Sequence, residues 1–145
     1  MTAPDIAIDI TIEKPLKVGF DLQRYVQHIL NLTHIQNGIY DISLVSNKTI
    51  QKLNKTHLNH DYPTDIITFN LGSQDNIVAD IYISLDQVQK NAKRYNVTRD
   101  HELKNCLIHG ILHIVGFKDD TASSRKEMMS EQSRLLSEIE CLITR

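Results

Sequence analysis

The sequence contains few of the residues that mark several protein classes. Its 145 residues include two cysteines, five glycines, three prolines and no tryptophan. Cys106 and Cys141 cannot build the disulfide framework of a small secreted domain, and so little glycine and proline argues against a disordered or fibrous chain. No apolar run approaches the roughly 18 residues that a membrane helix needs. Residues 1–5 lack the basic and apolar regions of a signal peptide, so we expect a cytoplasmic protein.

The sequence also has little excess charge of either sign. Sixteen basic and eighteen acidic residues leave a formal net charge of −2, and the pI is about 6.4. This balance excludes a generally basic, nucleic-acid-binding surface but leaves room for a local basic patch. The length suits one hydrophobic core, and no repeat or linker interrupts the chain. We therefore expect a single domain spanning residues 1–145.

Hydrophobic spacing predicts an α+β fold. Alternating or β-branched apolar residues predict four strands, at 6–12, 40–44, 66–69 and 77–84. Helical spacing predicts helices at 22–30, 85–95, 103–115 and from residue 128 onwards, with a further short helix capped by Ser46. Because strands come first and helices mostly later, the expected architecture is a small mixed four-stranded sheet packed with about five helices.

Three local signals refine these boundaries. The Asn-Gly pair at 37–38 predicts a turn before the second strand. Gly116 stands where a glycine commonly ends a helix, so the helix that precedes it should stop there. The spacing of Ser124 and Glu127 predicts a capping box at the start of the C-terminal helix.

Two histidines form the most informative pattern. His109 and His113 are four residues apart, so a helix places both imidazoles on one face about 6 Å apart, where they can share a metal ion. Both lie in an otherwise apolar stretch, where an unpartnered imidazole would be costly to bury. After the turn at Gly116, Asp119 can offer a carboxylate to the same ion. These three ligands would leave a fourth position open for water, as in catalytic zinc sites.

The spacing alone leaves other interpretations open. The two histidines could bond to backbone or water, with Asp119 capping a loop. Cys106, three residues before His109, is a rival ligand, although a buried and inert thiol is the more common role. Gly110 stands where H-E-x-x-H proteases carry their glutamate, so no general base is built in beside the ion. This argues against a peptidase of that type.

Three blocks of sequence occur in a distinctive order. The last of them is His109-Gly110-x-Leu112-His113-x-x-Gly116-Phe117-x-Asp119. The first comprises Leu53-Asn54 and then Asp61-x-Pro63-Thr64-Asp65-Ile66-Ile67-Thr68-Phe69, and the second is Asp80-Ile81-Tyr82-Ile83-Ser84. Their order and spacing resemble those of the YbeY family of bacterial metal-dependent endoribonucleases, and the resemblance covers nearly the whole domain.

This resemblance implies a function. It implies a single-strand-specific endoribonuclease that matures small-subunit ribosomal RNA at its 3′ end and contributes to ribosome quality control. It also implies one Zn²⁺ per chain, held by His109, His113 and Asp119. The family usually has histidine at the third position, so Asp119 leaves room for another divalent transition metal. The implied partners are ribosomal RNA and the small ribosomal subunit, with ribosomal proteins or assembly GTPases as further candidates.

A second departure from the family concerns RNA binding. The arginine of the family's first block falls at Leu58, which cannot clamp a phosphate. Lys55, His57 and His60 surround that position and are the candidates for RNA binding, and the two histidines are also the candidates for proton transfer. All three could equally be ordinary polar residues of an exposed loop. Asp80, in an apolar strand, needs a partner if it is buried, and could brace the site or bond a loop.

Two functions from other classes remain open at this stage. One is a ribosome-assembly factor that binds without catalysis and uses its metal structurally, which the missing arginine favours. The other is a metallohydrolase that acts on a peptide, a small amide or another non-RNA substrate. Gly110 argues against the peptide version for the reason given above.

Overall fold

The computed structural model describes residues 5–58 and 64–144, and only the backbone of residues 5, 57 and 58. Four strands and five helices lie within these ranges. In chain order they are β1 (Asp5–Ile12), α1 (Leu22–Leu32), β2 (Asn37–Val45), α2 (Asn47–Leu58), β3 (Ile66–Asn70), β4 (Val78–Ser84), α3 (Leu85–Tyr95), α4 (Arg99–Ile114) and α5 (Ala122–Ile143). The predicted α+β class and the predicted numbers of strands and helices are confirmed.

The strands form one mixed sheet in the order β1-β2-β4-β3. β1, β2 and β4 run parallel, and β3 pairs antiparallel with β4. Parallel neighbours need a crossover connection, which α1 provides between β1 and β2. The main core lies between one face of the sheet and helices α1, α3, α4 and α5. A smaller apolar cluster is formed by Val45 of β2, Ile50 of α2 and Ile67 of β3.

Helix α4 occupies the centre of the packing and contacts α1, α3, α5, β3 and β4. Eight of its sixteen residues are buried. It approaches β3 so closely that a Cβ atom added at Gly110 would collide with Cδ1 of Ile66. The helix begins at Arg99, four residues before the predicted start, because Thr98 caps a first turn that hydrophobic spacing cannot reveal. Asp100 and Glu102 in that turn suit the positive end of the helix dipole.

The turn predicted at residues 37–38 is wrong. Asn37 and Gly38 are the first residues of β2 and pair with β1. The two strands are parallel and joined through α1, so no tight turn is needed between them. Gly38 has φ +125°, and a side chain there would collide with the Tyr40 ring, whose hydroxyl donates to the Asn37 carbonyl at 3.0 Å. The glycine therefore allows this ring to fold back over the strand.

The capping box predicted at Ser124 and Glu127 is also misplaced. Helix α5 begins at Ala122, and its N-cap is Thr121. The Thr121 hydroxyl accepts from the Ser124 amide at 3.0 Å, while the Ser124 hydroxyl accepts from the Thr121 amide at 3.0 Å. Ser124 is thus the third residue of the helix and closes the box, because the threonine three positions earlier offers the same capping chemistry. Among the described residues, no helix combines the length and apolarity needed to cross a bilayer.

Candidate metal centre

The two histidines of α4 face one another at the C-terminal end of the helix. Their Nε2 atoms lie 3.1 Å apart. Each side chain is about one-third exposed, at 33% for His109 and 30% for His113. The predicted spacing therefore places both imidazoles on one face, at the boundary between the core and solvent.

The chain reverses after α4 through a Schellman motif. The Gly116 amide donates to the His113 carbonyl at 3.1 Å, and the Phe117 amide donates to the Leu112 carbonyl at 2.9 Å. This arrangement requires a left-handed residue just past the helix, and Gly116 supplies it with φ +113°. The predicted helix end at Gly116 is confirmed. The reversal carries the following residues back towards the histidines.

Asp119 completes a three-residue group. Its Oδ2 atom lies 3.3 Å from Nε2 of His113 and 3.9 Å from Nε2 of His109. All three candidate ligand atoms lie within 4.8 Å of one another. A tetrahedral ion with bonds of about 2.0–2.1 Å spaces its ligands about 3.3 Å apart. Two imidazole nitrogens and a carboxylate at these separations are therefore able to hold a transition-metal ion.

The group also opens onto solvent. A cleft of about 350 Å³ borders it, lined by His113, Gly116, Phe117, Lys118, Asp119 and Asp120. Asp119 is 47% exposed, and Arg125 of α5 donates to its backbone carbonyl at 3.3 Å. An ion held here would have a free coordination position that faces water and any substrate in the cleft.

His109 has polar neighbours that sequence spacing does not reveal. Its Nδ1 atom lies 3.0 Å from Oε1 of Gln132 in α5. The Gln132 amide in turn donates to Oδ1 of Asn105 at 2.9 Å. Gln132 lies 23 residues from His109, so only the packing of α5 against α4 brings them together. No local sequence signal could have predicted this contact.

A second, smaller cleft lies beside His109, where Gln132 and Asn105 approach it. Its volume is about 130 Å³, and it is lined by Asp65, Glu102, Asn105, Cys106, His109 and Gln132. Burial raises the pKa of the Cys106 thiol well above its ordinary value, and the carboxylates of Asp65 and Glu102 raise it further. Cys106 is not part of the metal-capable group. It is the buried, weakly nucleophilic thiol that was expected.

Of the remaining candidates, only Lys55 has a described side chain. Lys55 is exposed on α2, a helix that packs against β3, β4 and α3. The backbones of His57 and Leu58 belong to the same helix, while their side chains and the whole of His60 lie outside the described residues. Their predicted roles in RNA binding and proton transfer stay predictions.

Asp80 is half-buried, and it has a hydrogen-bonding partner on its own strand. It accepts a hydrogen bond from the Tyr82 hydroxyl at 3.0 Å. Alternate residues of β4 point to opposite faces of the sheet, and Asp80 shares its half-buried face with Val78 and Tyr82 rather than with the core residues Ala79 and Ile81. The carboxylate therefore needs no role in the metal centre to explain it.

Sequence comparison connects this geometry to a family. The family model described as endoribonuclease YbeY matches residues 8–140. The chain belongs to this family. It is 32% identical to the endoribonuclease YbeY of Chlorobium phaeobacteroides strain BS1 over 83% of this chain and 88% of that protein. The corresponding protein of Azobacteroides pseudotrichonymphae is 38% identical over 80% and 84% of the two chains.

Two further relatives extend the comparison. The endoribonuclease YbeY of Chloroherpeton thalassium is 42% identical over 62% of this chain, a match that spans 64% of that protein, slightly less than two thirds of its length. A solution structure from Thermotoga maritima is 29% identical and superposes with a TM-score of 0.65, covering 92% of this chain and 88% of that one. The YbeY-type fold thus extends over nearly all of the chain.

Proposed function

We propose that this chain is a metal-dependent endoribonuclease that cleaves single-stranded regions of ribosomal RNA. The observation that carries the proposal is the convergence of His109, His113 and Asp119 within 4.8 Å in a member of the YbeY family. We assign these three residues as the metal ligands. The side chains are one-third to one-half exposed, which suits a catalytic site with an open position better than a closed structural one.

The donor set favours a transition metal, and we propose zinc, one ion per chain. Two imidazoles suit zinc, while the carboxylate of Asp119 adds negative charge and a harder donor that also tolerates other divalent ions. When bound, such an ion polarises a phosphate oxygen or lowers the pKa of a water molecule. The protein's own contribution is to hold two imidazoles on one helical turn and to leave the fourth direction open.

Substrate binding must rely on local charge, because the net charge of the chain is −2. Lys118 lines the same cleft as His113 and Asp119, so it is placed to contact a phosphate near the ion. We retain Lys55, His57 and His60 as proposed RNA contacts. The proposed partners are the small ribosomal subunit with its proteins or assembly GTPases, which would place the protein in the cytoplasm.

The two alternative functions are less well supported. A purely structural metal would be enclosed by four protein ligands, whereas the described part of the chain supplies three, and they border an open cleft. Gly110 packs against Ile66 at the position where a peptidase of the H-E-x-x-H type would carry its base. The first observation favours a catalytic ion, the second favours a substrate other than a peptide, and membership of the family favours RNA.

The test measures cleavage of a defined single-stranded RNA by purified protein. We expect the wild type to cut it and His113→Ala, in a folded protein, to lose at least about a hundredfold in rate, since a ligand matters more than the outer-shell groups that are worth 10–100-fold. His101→Ala, a histidine in the first turn of the same helix, is the matched control and should retain activity. Equal cleavage by His113→Ala and wild type would overturn the proposal.

A cellular experiment tests the ribosomal part of the proposal. Small-subunit RNA ends are mapped in a strain that lacks the protein and is complemented with wild type, His113→Ala or His101→Ala. We expect mature ends with the wild type and His101→Ala only. Mature ends with His113→Ala would favour assembly without metal chemistry, and normal ends without any complementation would remove the ribosomal assignment.

A further inference from the structure

A stripe of polar residues runs along α4 towards the metal centre. Glu102, Asn105, His109 and His113 follow one another at spacings of three, four and four residues, so they share one face of the helix. The face is half-buried, whereas most residues on the other sides of α4 are buried. Gln132 of α5 lies beside this stripe and hydrogen-bonds to two of its members.

Each link of this stripe has a direction, because each bond needs one donor and one acceptor. Glu102 and Asn105 lie one turn apart on this face and line the same small cleft, and the Asn105 side chain opposes the burial that raises the Glu102 pKa, as a donor directed at the carboxyl does. An ionised carboxylate can only accept. Asn105 must therefore offer its NH₂ group to Glu102 and its carbonyl oxygen to Gln132. Gln132 then donates its NH₂ group to Asn105, at 2.9 Å, and presents its own carbonyl oxygen to His109, at 3.0 Å.

The last link fixes the histidine. A carbonyl oxygen 3.0 Å from Nδ1 of His109 requires a hydrogen on that nitrogen. A neutral imidazole with a hydrogen on Nδ1 has its lone pair on Nε2, the atom that faces His113 and Asp119. We propose that Glu102, Asn105 and Gln132 act as a positioning chain that holds His109 in the tautomer able to bind metal. The inference rests on the proposed role of His109 as a ligand.

Reversing the Gln132 amide would leave one hydrogen bond of the chain unmade. If the Gln132 amide were reversed, its NH₂ group would face Nδ1 and force the hydrogen onto Nε2, where it would block the metal position. Its carbonyl would then face the Asn105 carbonyl, unless that amide also reversed and turned its own carbonyl towards the Glu102 carboxylate. Two acceptors would face each other in either case. The carboxylate of Glu102 therefore acts on the metal centre without touching it.

The tautomer can be read directly from the ring nitrogens of His109 by two-bond ¹H–¹⁵N correlation in the metal-free protein. Burial and the neighbouring Asp65 carboxylate raise the pKa of Glu102, so spectra are recorded at about pH 8, far above ordinary carboxyl pKa values. We expect hydrogen on Nδ1 in the wild type. In Glu102→Gln the new amide can accept or donate, so a clear Nε2-protonated population should appear. Glu138→Gln, a matched change on α5 away from the stripe, should leave the spectrum unchanged.

Metal affinity gives a second readout, measured by titration of the folded proteins with zinc. Gln132→Met removes both links and should weaken zinc binding about 10–100-fold. Gln132→Glu keeps an acceptor facing His109 but loses the donor to Asn105, so it should bind zinc more tightly than Gln132→Met and more weakly than the wild type, which a merely space-filling role for Gln132 would not predict. Glu102→Gln should likewise fall between Gln132→Met and the wild type.

The outcomes separate this inference from the proposed function. Hydrogen on Nε2 of His109 in the wild type, or a tautomer unchanged in Glu102→Gln, would overturn the positioning chain even in an active nuclease. Zinc affinity in Gln132→Met equal to that of the wild type would also overturn it. An inactive wild type whose tautomer and zinc affinity respond as described would leave the chain supported and would refute the nuclease assignment alone.

Discussion

The two sides of the proposed metal centre are built differently. His109 and His113 project from α4, a helix surrounded by other elements and half composed of buried residues. Asp119 projects from the connection between α4 and α5, where most residues from 115 to 121 are exposed. One side of the centre is therefore fixed by core packing, and the other by the conformation of a short surface loop.

The loop is nevertheless held at both ends. At its start the Schellman bonds of Gly116 and Phe117 close α4, and at its end Thr121 and Ser124 cap α5. The Asp119 side chain itself is nearly half exposed. Substitutions on the helical side should therefore weaken metal binding more than substitutions on the loop side. The loop should also accept a different side chain as the third metal ligand.

The largest effect is expected from loss of a helical ligand. His113→Ala should reduce the metal content of purified protein from about one ion per chain to nearly none, because two ligands on a half-exposed surface bind weakly. Metal is counted by elemental analysis of protein prepared without chelators. His101→Ala should keep the full content. A stoichiometric ion in folded His113→Ala would remove this histidine from the ligand set.

A smaller effect is expected when the turn is strained. Gly116→Ala places a side chain at φ +113°, a conformation that costs about 1–3 kcal/mol outside glycine. The loop should shift to relieve this strain, so zinc affinity should fall by roughly tenfold, the lower end of the range seen when ligand support is lost. The exposed Ser123→Ala is the control. Unchanged affinity in Gly116→Ala would show that Asp119 does not depend on this turn.

The sequence predicted the helical side of the centre more fully than the loop side. A spacing of four on a helix places two imidazoles on one face whatever the rest of the fold does. The rings lie closer than the expected separation of about 6 Å, with 4.7 Å between their centroids, because the side-chain rotamers bring them together. The position of Asp119 depends on a turn, and here the glycine at 116 was an adequate signal because a Schellman motif needs a positive φ. Gln132 and Asn105 could not be predicted, since their contacts arise only when α5 packs against α4.

The errors at element boundaries have two origins, one local and one long-range. The start of α4 was missed because its first turn is polar, and the capping box of α5 was displaced because serine and threonine three residues apart offer the same chemistry. The Asn-Gly pair was interpreted as a turn because the parallel pairing of β1 and β2 is a long-range property. Only the last of these errors arises from pairing between distant parts of the chain.

A third prediction concerns the packing that holds the helical side in place. Gly110→Ala adds a Cβ that collides with Cδ1 of Ile66. Overpacking costs about 1–3 kcal/mol, and alanine returns up to about 1 kcal/mol in helix propensity, so the free energy of unfolding should fall by about 1 kcal/mol. Ile66→Val removes the colliding methyl group and alone costs about 0.5–1.5 kcal/mol.

The double variant decides whether this contact is responsible. If the collision causes the loss, Gly110→Ala combined with Ile66→Val should be no less stable than Ile66→Val alone, as measured by urea unfolding. Additive losses would mean that the glycine is needed for another reason, such as the path of the helix backbone.

The smallest effect is expected from changing the third ligand. Asp119→His should keep about one zinc per chain, with an affinity within roughly tenfold of the wild type, because imidazole can occupy the same tetrahedral position. Asp119→Ala, which offers no ligand atom, should bind at least about tenfold more weakly than Asp119→His. Both affinities come from the same zinc titration. Exposure of the loop permits the larger side chain, since Asp119 is 47% exposed and borders the open cleft. If Asp119→His instead lost its metal while remaining folded, a ligand substitution in the loop would weaken zinc binding as much as one in the helix. The expected difference between the two sides of the centre would then be absent.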